Sequence, residues 1–95
     1  MINYASAIKV LDAAGYKMTN KCYFDGESFQ DFNSRKRDAS ISLVIDEASG
    51  CVSRIEITTR KWSDKLWRYE PVKEILTGLQ GLVDKLGAPR QPITL

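Results

Sequence analysis

The chain has 95 residues, of which 43% are hydrophobic and 27% charged, a composition typical of one globular domain rather than of a disordered segment. It contains no histidine, which excludes nucleophiles activated by imidazole and the commonest zinc sites. Its formal net charge of +2 is too small to indicate nucleic-acid binding by itself. We therefore expect a single small domain over residues 1–95 that binds a partner and is not an enzyme.

The first predicted element is a helix over residues 4–14. Asn3 is suited to cap it, because its side-chain oxygen can accept from a first-turn amide, and Gly15 can end it in a left-handed conformation. Apolar residues recur at three- and four-residue spacing along it. They are Tyr4, Ala7, Ile8, Leu11 and Ala14.

Two strands are predicted next. Residues 16–24 alternate between apolar and polar side chains, which favours a half-buried strand. Asp25 and Gly26 form a strong signal for a tight hairpin turn. A weaker strand follows over residues 28–33, and residues 34–38 contain no apolar side chain and are predicted to be an exposed loop.

The clearest hairpin joins residues 40–46 to residues 52–60 across a turn at 47–50. Both strands alternate, so that each offers an isoleucine-rich face to a core and a mainly polar face to solvent.

The last predicted element is a helix from Pro71 to Leu86, followed by an extended tail over residues 88–95. Proline fits the first helical position, and the apolar residues that follow it keep helical spacing almost throughout. Gly78 and Gly81 would lie inside this helix. Gly81 would lie nearly opposite the apolar stripe, without a packing reason inside one monomer, so it is either tolerated or permits contact with another chain.

These elements predict an α+β fold. We expect an antiparallel sheet of three to four strands, built from two hairpins, with the N-terminal and C-terminal helices packed on one face. The other face of the sheet would then be open to water or to a partner.

The cysteines and the first residues bear on the cellular compartment. Cys22 and Cys51 are too few for the disulfide framework of a small secreted domain, and we expect both to lie in the core. Lys9 and Asp12 interrupt any signal-peptide core, and no apolar run is long enough to span a bilayer. We predict a cytoplasmic protein that does not bind membranes.

The acidic residues form no recognisable catalytic or metal-binding pattern. Asp25, Glu27 and Asp31 lack the order of an EF-hand loop. Asp46 and Glu47 are adjacent, so in a strand their side chains point to opposite faces. We predict no catalytic residue, no metal site and no cofactor; an enzyme would need carboxylate, lysine or cysteine chemistry in a cleft formed on oligomerisation.

Residues 60–70 are the most unusual segment, because they hold both tryptophans of the chain, a tyrosine and four cations. Tryptophan, tyrosine and arginine are the residue types that most often carry the binding energy of protein interfaces. A structural explanation is also available. Ser63 can cap a short turn, which would place Trp62 and Trp67 at the spacing of a hydrophobic staple.

We predict a non-enzymatic module that binds a protein partner stoichiometrically, as an adaptor or inhibitor does. The predicted contact residues are Arg54, Arg60, Trp62, Lys65, Trp67 and Arg68. A homodimer formed through the open sheet face or the last helix is compatible with the same features.

The alternative is binding to RNA or DNA through the basic outer sheet face and the 35–37 loop. Residues 49–95 carry eight basic and five acidic side chains, against six and seven in residues 1–48. Cross-strand salt bridges around Glu56 would explain the charges of the sheet face equally well. The residues of the alternative site are Arg35, Lys36, Arg37, Arg54, Arg60 and Trp62.

Overall fold

The computed structural model describes residues 2–87, so the predicted tail over 88–95 lies outside the described residues. It confirms the α+β class, with five strands where the sequence predicted three to four. The elements in chain order are α1 (Tyr4–Ala13), β1 (Lys17–Phe24), β2 (Glu27–Ser34), β3 (Arg37–Asp46), β4 (Val52–Ser63), β5 (Arg68–Leu76) and α2 (Leu79–Leu86).

The five strands form one antiparallel sheet in the order β1-β2-β3-β4-β5, so each strand pairs with its neighbours in sequence. β1 and β5 are the two edges. Because the chain reverses at every turn, the β1–β2 and β3–β4 turns lie at one end of the sheet, and the β2–β3 and β4–β5 turns lie at the other.

Charge is divided between these two ends of the sheet. Segments 24–27 and 46–51 carry four acidic side chains and no basic one, and they are termed the acidic end. Segments 34–38 and 60–70 carry seven basic side chains and three acidic ones, and they are termed the basic end. The two ends of the sheet therefore carry opposite net charge.

Helix α1 forms as its sequence predicts. The side chain of Asn3 accepts a hydrogen bond from the Ser6 amide at 3.0 Å, and Gly15 follows the helix with a φ of 85°. Ala7 and Leu11 are fully buried beneath it.

The core lies between the helices and one face of the sheet. Alternate residues of β3 and β4 contribute to it together with the inner faces of both helices, which confirms that the two helices pack on the same side. The other side of the sheet is termed the open face. Core members include Leu11, Phe32, Ile41, Leu43, Ile55, Ile57, Leu82 and Leu86.

Strand β1 is exposed along its whole length, so the prediction of a half-buried strand is wrong. An edge strand has one neighbour instead of two, and the apolar side chains of Met18, Tyr23 and Phe24 are all exposed. Cys22 is also exposed and Cys51 is half-buried, which corrects the prediction that both cysteines lie in the core.

The predicted helix over 71–86 is wrong in its first half. Residues 71–76 belong to β5, and α2 begins at Leu79 after Gly78, which occupies the N-cap position. The nine pairs between β4 and β5 are a non-local interaction, and they prevail over the helical spacing of this segment. Pro71 is tolerated because β5 is an edge strand, where the absence of a backbone N–H need not cost a hydrogen bond within the sheet.

Gly81 has a packing reason within the monomer, contrary to the expectation from sequence. A Cβ atom placed on it would lie 3.3 Å from Cδ2 of Leu76. The chain reverses between β5 and α2, which brings Leu76 against the first turn of the helix.

The β4–β5 hairpin extends beyond the rest of the sheet. The last pair between β3 and β4 joins Ser40 to Thr58, whereas β4 and β5 stay paired as far as Ser63 and Arg68. Residues 59–72 therefore form a two-stranded ribbon, termed the arm.

The loop predicted over residues 34–38 is shorter than expected. Only residues 35–36 form a turn, because β2 continues to Ser34 and β3 starts at Arg37.

We expect Leu82→Ala to lower the free energy of unfolding by about 2–5 kcal/mol, because Leu82 is fully buried where α2 meets the sheet. Urea denaturation followed by circular dichroism measures the change. Leu66→Ala is the matched control, since Leu66 is exposed in the arm and its truncation should change stability by about 0.5 kcal/mol or less. Equal losses in the two variants would contradict the described core.

Candidate partner-binding site

The tip of the arm is a single turn that Ser63 closes. The Leu66 amide donates to Oγ of Ser63 at 3.2 Å, and the Trp67 amide donates to the Ser63 carbonyl at 2.8 Å. These two bonds confirm that Ser63 caps a short turn, as the local sequence predicts.

Three aromatic side chains cluster at this tip. The Trp62 ring meets the Trp67 ring edge to face, with the centroids 6.2 Å apart, and it meets the Tyr69 ring in the same manner at 5.2 Å. Trp62 and Tyr69 are direct partners in the β4–β5 register, and Trp62 follows the alternation of β4 onto the open face. These three residues are termed the aromatic cluster.

The aromatic cluster is exposed although its rings contact one another. Trp62 is 47% exposed, Trp67 80% and Tyr69 64%. The structural interpretation is therefore confirmed, because the two tryptophans contact each other across the capped turn. The staple leaves Trp62 partly exposed and Trp67 mostly exposed.

Trp67 occupies an unfavourable backbone conformation. Its φ of 53° lies in the left-handed region, which costs an L-residue with a bulky side chain roughly 1–2 kcal/mol and which glycine or asparagine adopts more easily. The most exposed large side chain of the arm therefore stands at a position where its residue type destabilises the fold. Strain at an exposed residue is an indication of function.

The Trp62 indole is oriented by a hydrogen bond. Its Nε1 donates to Oδ1 of Asp64 at 3.0 Å. This bond satisfies the polar edge of the ring and fixes its direction on the arm, so that the apolar part of the ring is presented in one orientation.

Cations surround the aromatic cluster, and most of them are available to a partner. Arg60, Lys61 and Lys65 are exposed and form no ion pair with any residue from 2 to 87. Arg68 approaches Glu70 at 3.8 Å, but both side chains are well exposed, so this contact is weak.

Arg54, one of the predicted contact residues, lies away from the tip of the arm. Its guanidinium binds Glu56 at 3.0 Å and Glu27 at 3.3 Å, and Lys73 binds the same Glu56 at 3.2 Å. Eight residues of extended strand separate Arg54 from Trp62, roughly 26 Å. The charges at the centre of the open face thus form salt bridges around Glu56, which is the structural explanation that the sequence offered for them.

The basic residues of the β2–β3 turn lie at the same end of the sheet as the arm. Arg35 and Lys36 are exposed in the turn itself. Arg37 has a structural role, since its Nη2 donates to the Leu86 carbonyl at 2.9 Å and ties β3 to the end of α2.

Two exposed large apolar side chains near the tip of the arm were missing from the predicted contact residues. Leu66 lies in the tip turn and Tyr69 completes the aromatic cluster. An apolar residue inside a turn is a signal that could have indicated Leu66. The role of Tyr69 depends on the β4–β5 register, which the sequence pattern alone did not show.

Residues 2–87 include no group of three or more cysteine, aspartate and glutamate side chains that could hold a metal ion. Asp46 serves the β3–β4 turn, where its carboxylate accepts from the Ser49 hydroxyl at 2.9 Å and from the Ala48 amide at 3.4 Å. Within the described part of the chain, no helix is long and apolar enough to cross a membrane.

The sequence matches no known family model and no curated protein, and the fold matches no solved structure.

We expect Glu56→Gln to lower the free energy of unfolding by about 1 kcal/mol near neutral pH, because an amide cannot form the ion pairs with Arg54 and Lys73. Burial raises the pKa of the Glu56 carboxyl, but the hydrogen bonds from Arg54 and Lys73 outweigh it and hold the pKa below its ordinary value of 4.5. A depressed pKa contributes stability above 4.5 that is lost as the pH falls through the folded-state pKa. Urea denaturation near pH 7 and near pH 3 should therefore show a deficit that shrinks on acidification. A deficit independent of pH would contradict the network.

We expect Trp67→Asn to leave the free energy of unfolding within about 1 kcal/mol of the wild type. The lost edge-to-face contact with Trp62, worth about 0.5–1.5 kcal/mol, is offset by relief of the left-handed conformation. Urea denaturation measures the balance. A loss above about 2 kcal/mol would show that Trp67 is needed for folding, contrary to its exposure.

Proposed function

We propose that the protein acts by stoichiometric binding to a protein partner, as an adaptor or inhibitor does, and that the tip of the arm makes the contact. The observation that carries the proposal is Trp67, which is 80% exposed and has a φ of 53°. Folding gains little from this side chain, because the strain of its left-handed backbone offsets its contact with Trp62, whereas binding would bury it. Trp62, Tyr69 and Leu66 would be buried with it.

The surroundings of the aromatic cluster support a protein partner. Tryptophan and tyrosine at the centre of a contact, with charged side chains at its rim, are the usual arrangement of binding hot spots. Arg60, Lys65 and Arg68 would form that rim. The cations would orient the partner and raise the association rate, and the rings would supply most of the affinity.

Binding to RNA or DNA is supported less well by the tip. The Trp62 ring contacts two other rings edge to face, so its surface is partly used within the arm instead of being offered to bases. Arg54 and Arg37 are engaged in internal contacts, which removes two of the cations that the nucleic-acid interpretation needs.

We further propose that the protein works in the cytoplasm. Cys22 and Cys51 are free thiols, which suits a reducing compartment.

Photo-crosslinking in cells of the native host tests the proposed contact. A photoreactive amino acid replaces Leu66 at the tip, and in a control chain it replaces Ile75, which is similarly exposed outside the arm. We expect one discrete protein adduct, of one chain with one partner, from position 66 only. Adding Trp67→Asn to the position-66 chain should remove the adduct. Equal adducts from both positions, adducts unaffected by Trp67→Asn, or no adduct would contradict the proposal.

The isolated partner then allows the energetic roles to be separated. We expect Trp67→Asn to weaken binding by about 30-fold or more, mainly through faster dissociation, as for a hot-spot residue. Lys65→Glu should mainly slow association, and its effect should fade at high salt. Ile75→Ala should change neither rate.

Fluorescence titration with single-stranded RNA and DNA oligonucleotides at low and high salt tests the competing class. Phosphate contacts would give an affinity that falls steeply with salt. We expect no saturable binding at low salt. Saturable binding that Trp67→Asn abolishes would show that the partner is a nucleic acid and not a protein.

A further inference from the structure

The outer side of β1 is an exposed strand edge at the opposite side of the sheet from the arm. We propose that it pairs antiparallel with β1 of a second copy, which gives a twofold-symmetric dimer with one continuous sheet. The proposal concerns neither the open face nor the last helix, and it is independent of the partner proposed for the arm.

The backbone of β1 offers hydrogen-bonding groups on this side. Asp25 and Gly26 have φ values of 51° and 77°, which describe a two-residue turn of the primed type. Such a turn is closed by a hydrogen-bonded pair, here Phe24 with Glu27, and bonding then alternates along the ladder. The N–H and C=O groups of Lys21 and Tyr23 therefore point outward, where nothing within residues 2–87 pairs with them.

The two edges of the sheet differ in how they are protected. β5 carries Pro71, which cannot donate a hydrogen bond and is typical of edges that avoid further pairing, whereas β1 contains no proline. β1 has a bulge between Met18 and Asn20, so its regular unprotected stretch runs over residues 20–24. Tyr23 and Phe24 are exposed within that stretch. β1 is thus the edge suited to accept a strand.

The side chains select one register for the pairing. A twofold axis at Cys22 places Lys21 opposite Tyr23 of the second copy, whereas an axis at Lys21 would place two ammonium groups opposite each other. Lys21 and Tyr23 already attract within one chain, since Nζ of Lys21 lies 5.4 Å from the centre of the Tyr23 ring. The favoured register repeats that contact across the interface on both sides of the axis.

The opposite charges at the two ends of the sheet favour a second copy of the chain as the strand that pairs with β1. β1 runs from the basic end to the acidic end, so antiparallel pairing places the acidic end of each copy beside the basic end of the other. The exposed Glu47 lies close to this edge, because its amide donates to the Gly26 carbonyl. Arg35 and Lys36 lie in the turn at the other end. A parallel arrangement would bring like charges together instead.

Sedimentation velocity of the purified chain tests the dimer. We expect a monomer–dimer equilibrium with a dissociation constant of about 1–100 µM, since pairing of a short edge buries little area. The constant should rise about tenfold or more between about 0.05 M and 0.5 M salt, because screening weakens the contacts between the ends. A monomer at every concentration in low salt would overturn the proposal.

Two charge-reversed variants provide a sharper test. Asp25→Asn with Glu47→Lys replaces the two negative charges nearest β1 at the acidic end by one positive charge, and Arg35→Glu with Lys36→Glu makes the β2–β3 turn acidic. Each variant alone should be monomeric, because like charges then face each other. An equimolar mixture should recover the dimer, because both contacts become attractive again. Variants that dimerise alone, or a mixture that does not dimerise, would overturn the pairing.

The register is tested with Cys22. In the proposed register, Cys22 of one copy lies opposite Cys22 of the other. The two residues form a non-hydrogen-bonded pair, whose Cα separation of about 4.5 Å permits a disulfide. Diamide, which takes one hydrogen atom from each thiol, should yield a covalent dimer in the wild type and in Cys51→Ser but not in Cys22→Ser. A crosslink that depends on Cys51 instead would contradict the register.

The backbone contribution is tested by comparing Lys21→Pro with Lys21→Ala, because both lose the ammonium group and only the proline also loses the outward-facing N–H. Lys21→Pro should abolish the dimer while the circular dichroism is unchanged, and Lys21→Ala should only weaken the dimer. Trp67→Asn should dimerise as the wild type does, so loss of the arm contact and loss of the dimer are distinguishable. A dimer that persists in folded Lys21→Pro would exclude edge pairing.

Discussion

The pairing of β4 with β5 is the constraint on which the rest of the structure depends. Along its first half β4 is held between β3 and β5 and contributes Ile55 and Ile57 to the core. Beyond Thr58 it keeps only β5 as a neighbour, and the two strands leave the sheet together. One strand thus serves both the core and the arm, so the arm is anchored in the most buried part of the fold.

The same pairing determines where α2 begins and how it packs. Because β5 continues to Leu76, only a short turn is left before the helix, and the Leu76 side chain would be crowded by any side chain at position 81. Leu82 and Leu86 then reach the core from the same side as α1. Neither α1 nor α2 covers the open face, and its central charges neutralise one another through Glu56.

Local signals in the sequence predicted local structure well. The Asn3 cap, the tight turn at Asp25 and Gly26, and the turn capped by Ser63 each depend on residues within a few positions, and each is present. The fifth strand could not be predicted in this way, because Val72, Leu76 and Leu79 keep helical spacing and only pairing with β4 decides the conformation. The exposure of the tryptophans is likewise non-local, since it depends on where β3 stops pairing. Arg54 was assigned to the site from its alternation with Trp62, and alternation does not reveal the ion pairs with Glu27 and Glu56.

Both indoles of the chain, Trp62 and Trp67, lie on the arm, and neither lies in the core. Ultraviolet emission excited at the red edge of protein absorption therefore originates almost wholly from one hairpin tip. The protein carries its own optical reporter there, which responds to whatever covers the tip and hardly at all to the packing of the interior. Melting curves recorded by this emission would describe fraying of the ribbon, and those recorded by circular dichroism would describe the body of the molecule.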